Sequence, residues 1–158
     1  MAEIAIREAI GGDLQQAKEL IVRLKRLTGE FDPVFRVVDN VSEEATKYLT
    51  DSLSSKDIIM LVAVSGKRVI GILRAELTKR LFYEPSVEGL ITDFYILPEA
   101  RRKALGKEMV QEASKRLKER GAQIIISRFT SQNEIASKFY AKRGFRPLMN
   151  FYVREEGV

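Results

Sequence analysis

A chain of 158 residues, 45% hydrophobic and 31% charged, has the size and composition of one ordinary domain with one core, and is neither disordered nor fibrous. It contains no Cys and no His, which excludes a thiol nucleophile, a Ser-His relay, a His-ligated zinc and any disulfide framework, and leaves carboxylates, Tyr, Lys, Ser and Thr for chemistry. The net charge of +5 is uneven, with 13 Lys and Arg against 16 Asp and Glu in residues 1–100 but 14 against 6 in residues 101–158, a pattern that suits a polyanionic partner or a solvated set of helix faces.

The opening Met1-Ala2-Glu3-Ile4-Ala5-Ile6-Arg7 has no basic run leading into an apolar one. The longest apolar runs, such as Ile58 to Val64, fall far short of the roughly 20 residues that span a bilayer. A cytoplasmic protein of one domain (residues 1–158), with no membrane partner, is the expectation. Ile4 to Ala9 alternates as a short strand and breaks at Gly11-Gly12-Asp13, where Asp13 is placed as an N-cap. Leu14, Ala17, Ile21, Leu24 and Leu27 follow at helical spacing. Residues 29–40 are irregular because Pro33 forces Asp32 out of helical geometry. A second helix, capped by Ser42, runs to about Leu53.

Ile58 to Val64 and Arg68 to Leu77, joined by Ser65-Gly66-Lys67, predict a β-hairpin. Val87 to Leu97 is the next strand, stopped by Pro98. Strict alternation puts Leu90, Thr92, Phe94 and Ile96 on one face and Ile91, Asp93, Tyr95 and Leu97 on the other; both are largely apolar, so the strand is central. Arg101 to Arg120 is the clearest helix, with Leu105, Met109, Ala113 and Leu117 every four residues and Gly121 to end it. Gln123 to Thr130 is a strand, Asn133 to Arg143 a short helix ended by Gly144, and Phe145 to Arg154 a pair of short strands interrupted by Pro147. This order predicts an α/β (α+β) domain, a mixed sheet with helices on both faces.

Two segments carry the chemistry. In the first, Asp93 to Lys107, a buried strand stops at Pro98, a basic turn follows and a long helix begins. Free N–H groups at a helix start and its dipole favour an anion there, Ala104 and Gly106 allow close approach, and Arg101, Arg102, Lys103 and Lys107 add positive charge, an arrangement suited to a pyrophosphate. The blander reading is a helix start that happens to be basic. In the second, Asn133, Ala136 and Tyr140 share one helix face at spacings of three and four, so an amide and a phenol look the same way. Alternatively, Phe139 and Tyr140 are core aromatics and Gly144 a plain C-cap.

Together these segments resemble the GNAT superfamily of acetyl-CoA-dependent N-acetyltransferases. Arg101-Arg102-Lys103-Ala104-Leu105-Gly106 is similar to that family's pyrophosphate loop, Arg/Gln-x-x-Gly-x-Gly/Ala, except that Ala104 stands where Gly is usual and adds a Cβ facing the phosphates. Asn133, Ala136, Phe139, Tyr140 and Gly144-Phe145 match the family's other cofactor segment. The resemblance implies a mixed, mostly antiparallel sheet splayed between its fourth and fifth strands, with about four helices. It also implies that acetyl-CoA lies in the splay, with pantetheine amides on backbone around Phe94, Tyr95 and Ile96, phosphates on residues 101–107 including Leu105, and Asn133 on the cofactor's arm. It allows a homodimer.

An amine with an unperturbed pKa of about 10.4 must lose a proton before it attacks a thioester. With no His, Asp93 is the first candidate base, since burial in a central strand would raise its pKa, and Glu88 is the second; a structural acid is the competing role for Asp93. The resemblance gives Tyr140 the donation of a proton to the departing thiolate, or a positioning role. Without Cys, direct transfer in a ternary complex is favoured over an acyl-enzyme. The acceptor is expected between residues 29–37 and 79–88, where Glu30, Asp32, Glu84 and Glu88 accompany Phe31, Phe35, Phe82 and Tyr83, though these aromatics would equally pack under long loops. A protein or peptide amine and a small amine both remain, and no metal is called for. The rivals are a non-catalytic acyl-CoA sensor and, more distantly, a nucleic-acid-binding module, for which no recognition-helix motif is present.

Overall fold

The computed structural model describes residues 3–101 and 104–157. In chain order they form β1 (Ile4–Glu8), α1 (Leu14–Phe31), α2 (Val41–Leu53), β2 (Ile58–Ser65), β3 (Arg68–Lys79), β4 (Val87–Ile96), α3 (Leu105–Glu119), β5 (Ile124–Ser127) and α4 (Glu134–Ala141), with short 3-10 turns at Gly11–Asp13, Pro33–Phe35 and Pro98–Ala100. The strands lie in the sheet in sequence order. The first four are antiparallel, as hairpins and one long return allow, while β5 runs parallel to β4 because α3 carries the chain back across the sheet. This is the mixed sheet with four helices expected from the sequence.

Helices α1 and α2 cover one face and α3 the other. Each does so with the apolar stripe that its spacing gives: Ala17, Leu20 and Ile21 on α1, Ala45 and Leu49 on α2, and Leu105, Met109, Ala113 and Leu117 on α3, all buried. Between the two layers β2 and β3 are buried on both faces, which explains their continuous runs of apolar residues. Gly89 lets α3 approach the sheet, since a Cβ there would stand 2.8 Å from Leu117 Cδ1. Among the described residues no helix is long and apolar enough to cross a membrane.

Three local expectations are corrected. Asp13 does not cap α1; its carboxylate turns back to accept the Ile10 N–H at 2.8 Å and to pair with both terminal nitrogens of Arg7, a better set of donors than one helix N–H. Helix α2 begins at Val41 with Asn40 as the flanking residue, so Ser42 lies within the first turn. The short strands expected over Phe145 to Arg154 do not form: residues 145–157 contain neither helix nor strand. Alternation shows which face a strand would bury, but a strand needs a partner edge, and this segment pairs with none among the described residues.

Candidate active site

The central strand departs from strict alternation at one residue. Arg74 pairs with Asp93 and Ala75 with Ile91, so Thr92 is an extra residue, a β-bulge. The bulge turns Asp93 to the same face as Thr92, toward α1 and α2, and returns Phe94 and Ile96 to the face of α3, where Ile96 lies near Gly71 and Phe94 meets Phe139 of α4 at 5.8 Å between ring centroids. The bulge also marks where the sheet opens. β5 follows β4 only from Glu88 to Ile91, with a last bond from the Arg128 N–H to Ile91 O. Beyond it β4 continues alone on that side as far as Ile96.

Its free edge has a definite polarity. The Leu97 N–H bonds to Ile70 O on β3, so by alternation Ile96 and Phe94 direct their backbone groups away from β3, into the opening. Tyr95 turns its amide to β3, which leaves Phe94 and Ile96 as the edge-bearing members of the expected trio. Arg101 folds back to this edge, its Nε donating to Ile96 O at 2.9 Å and its guanidinium lying over the Tyr95 ring. Helix α3 then starts, and its first intrahelical bond runs from the Glu108 N–H to Ala104 O. The N–H groups of Leu105, Gly106 and Lys107 therefore have no acceptor further up the helix. Arg102 and Lys103 lie outside the described residues. Gly106 is read differently once its surroundings are known, since a Cβ there would stand 3.1 Å from Phe139 Cε1: its small size admits α4 against α3.

Helix α4 forms the far wall. Asn133 is its N-cap, the side-chain oxygen accepting the Ala136 N–H at 3.0 Å, so its amide nitrogen is the end left to donate to a ligand. Tyr140 is buried, stacked on Phe129 at 5.3 Å and set edge-on to Phe139 and Phe145. Burial pushes its phenol up to about 12, while the Ser127 hydroxyl acts the other way. The core-aromatic role and the shared face with Ala136 both hold.

On the α1/α2 side of the bulge is a buried polar cluster that the sequence did not reveal. Asp93 accepts from Lys25 Nζ at 2.6 Å, Tyr48 OH at 2.5 Å and Thr92 Oγ1 at 2.9 Å. Arg74 donates to Thr92 Oγ1, Ser52 Oγ and Glu76, and lies over the Tyr48 ring at 4.2 Å. The expected upward shift of Asp93 is reversed: desolvation does act upward, but the Lys25 ammonium and three hydrogen bonds outweigh it and hold the carboxyl below its ordinary value. The same cluster, with burial first, pushes the Tyr48 phenol well up. Lys25 was legible in principle, since it follows Ile21 by four on the buried stripe of α1, and Tyr48 follows Ala45 by three on that of α2.

Glu88 lies in the paired part of the β4–β5 ladder, 3.5 Å from Arg80. Four residues before Thr92, it is about 13 Å back along the strand, at the closed end of the splay. The two stretches expected to hold the acceptor are likewise separated. Asp32, within the first stretch (29–37), accepts from Gln132 Nε2 at 3.4 Å, just before α4. Residues 80–86 are tied to the closed end through Ser86 and Gln123, and the exposed Phe82 and Tyr83 lie there.

A strand edge left free by a bulge thus runs into a helix start whose first N–H groups have no acceptor within the helix. The model of the acetyltransferase (GNAT) family matches residues 24–145, and the chain belongs to that family, whose reaction is acetyl-CoA-dependent N-acetylation. Solved structures of the same fold include a transcriptional regulator from Bacillus halodurans C-125, 24% identical over 97% of this chain and 99% of that one, with a TM-score of 0.76. An aminoglycoside N-acetyltransferase in complex with CoA is 14% identical over 99% and 97%, with a TM-score of 0.80. A predicted acetyltransferase with acetyl-CoA from Clostridium acetobutylicum is 17% identical over 97% and 96%, with a TM-score of 0.79. No curated protein matches the chain in sequence.

Proposed function

We propose that this chain transfers acetyl directly from acetyl-CoA to a primary amine, with both substrates held at the splay. The observation that carries this reading is the unpaired edge of β4 from the Thr92 bulge to Ile96, continuous with the start of α3. Phe94 and Ile96 hold the pantetheine amides as an added strand would. Arg101 and the first N–H groups of α3 hold the phosphates, joined by Arg102, Lys103 and Lys107 through charge, and Asn133 donates to the cofactor's arm. When bound, acetyl-CoA supplies an acyl group activated as a thioester.

The amine enters beside residues 32–38, where Asp32 and Glu30 favour a cation and Phe35 is half exposed. Its nitrogen forms the new bond to the acetyl carbon as the carbon–sulfur bond breaks, and Tyr140 gives its proton to the departing sulfur. The ammonium gives one proton to water before it attacks, and the second nitrogen proton, lost as the amide forms, returns through solvent to the Tyr140 oxygen, so the phenol is restored for the next turnover. Asp93 is the wrong base for the first proton, since Lys25 keeps it anionic and weakly basic, and Glu88 is at the far end of the splay. Asp93 instead pins α1 and α2 to the bulge. A thiol-release screen over small amines, polyamines and peptide N-termini, alongside calorimetric titration with CoA, tests the proposal. Binding with turnover on at least one amine is expected; binding without thiol release on any would make the chain an acyl-CoA sensor, and no binding would refute both.

A further inference from the structure

The register of β4 beyond its bulge decides which amides face the opening. The strand is largely apolar on both faces, so a slip of one residue exchanges one apolar set for another and hydrophobic burial sets the register only weakly. Were no residue extra before Asp93, Leu73 would pair with Asp93 and Ile72 with Phe94, in place of the observed Leu73–Phe94 and Ile72–Tyr95. That slip would turn the Asp93 carboxylate toward the apolar stripe of α3 and offer the Tyr95 amide to the opening instead of those of Phe94 and Ile96. Side chains hold the observed register. Thr92 Oγ1 lies 2.9 Å from both Arg74 Nη1 and Asp93 Oδ2, a contact that two successive strand residues make only when they share a face. Tyr48 ties this pair to α2 and Lys25 ties it to α1. Thr92 and Tyr48 are neutral, and among the described residues Lys25 is the one cation paired with Asp93, which is 2% exposed. A carboxylate so buried keeps its charge only while a counter-ion stays beside it.

We propose that Lys25 is a positioning residue for the coenzyme: by holding the Asp93 carboxylate on the α1/α2 face it fixes the bulge at Thr92 and keeps the Phe94 and Ile96 amides turned to the opening. The proposal rests on the reading of that edge as the seat of acetyl-CoA. Without the ammonium, Asp93 moves to water or takes up a proton. Its tie to α1 is lost in either case, the bulge is free to migrate, and the edge becomes a mixture of two registers. The Lys25 side chain is 43% exposed, so Lys25→Met keeps the packing of its stem and removes the charge.

Hydrogen exchange on the coenzyme-free protein, with acetyl-CoA titration of the same samples, tests this. In the wild type the Tyr95 amide, turned to β3, should exchange roughly 10²-fold more slowly than those of Phe94 and Ile96. Lys25→Met should speed Tyr95 exchange about tenfold beyond any change in the β2 amides and weaken acetyl-CoA about tenfold. Lys25→Arg, whose guanidinium can pair with Asp93, should restore both. Should Lys25→Met not fold, Tyr48→Phe removes a tie without stranding a charge and should narrow the contrast by a smaller factor. A wild type without the contrast overturns the proposal. So does a contrast unchanged in the folded variant, a Tyr95 amide that speeds up by the same factor as those of β2, or a Lys25→Arg no better than Lys25→Met. A wild type with the contrast that takes up no acetyl-CoA refutes the coenzyme reading, while the exchange pattern of Lys25→Met still decides the register.

Discussion

With its phenol pushed up to about 12 by burial, Tyr140 stays protonated through the neutral range, the state a proton donor needs. Tyr140→Phe keeps the ring among Phe129, Phe139 and Phe145 and removes only the O–H. Thiol release at saturating substrate should fall about 10²-fold with CoA affinity little changed; an unaltered rate would leave the phenol as packing alone. Asp93 makes the opposite case, a carboxyl held below its ordinary value by Lys25. Its folded pKa lies below the unfolded one near 3.9, so the stabilisation is complete above that value and is lost as pH falls through the folded pKa. Asp93→Asn should therefore cost about 2–3 kcal/mol at neutral pH. Urea unfolding of both proteins should show that gap closing below about pH 4, whereas a gap that persists in acid would assign the loss to packing.

At the scale of elements the sheet opens because β4 and β5 diverge at a bulge and because α4 packs closely enough on α3 to form the far wall. Gly106 is the point of closest approach, with Phe139 in the space a Cβ would take. Gly106→Ala should cost about 1–2 kcal/mol, and Phe139→Leu in the same chain should recover part of it, a coupling that thermal unfolding of the four proteins of the cycle measures. If the two changes add independently, Gly106 is small for some other reason. The elements themselves were legible wherever period and punctuation agreed: α3 from its four-residue stripe and Gly121, β4 from Pro98, the β2–β3 hairpin from Gly66, whose φ of +62° the turn requires. The bulge was not, since a single inserted residue leaves no mark in an apolar run, and without it Asp93 was assigned to the wrong face. Lys25 was missed for a related reason: a lysine is read as solvated until a buried carboxylate is found opposite it.

Across the whole molecule the charge asymmetry has a place in the fold. The basic residues of the last third include Arg101 and Lys107 beside the start of α3, where the phosphates of CoA are expected, while Glu30 and Asp32 stand at the entrance proposed for a cationic acceptor. Opposite fields at the two mouths of one opening would draw an anion and a cation toward a common point. The features expected to hold the cofactor could be read from spacing, because a helix start and a capped short helix are local. The acceptor half could not, because it depends on which loops the sheet brings together, and the sheet separated residues 32–38 from residues 80–86. Everything turns on where the coenzyme lies, and amide chemical shifts followed during CoA titration report that directly. The largest changes should fall on Phe94, Ile96 and Leu105 to Lys107, with the Asn133 side-chain amide among them; saturable shifts confined to other elements, with these unmoved, would contradict the account.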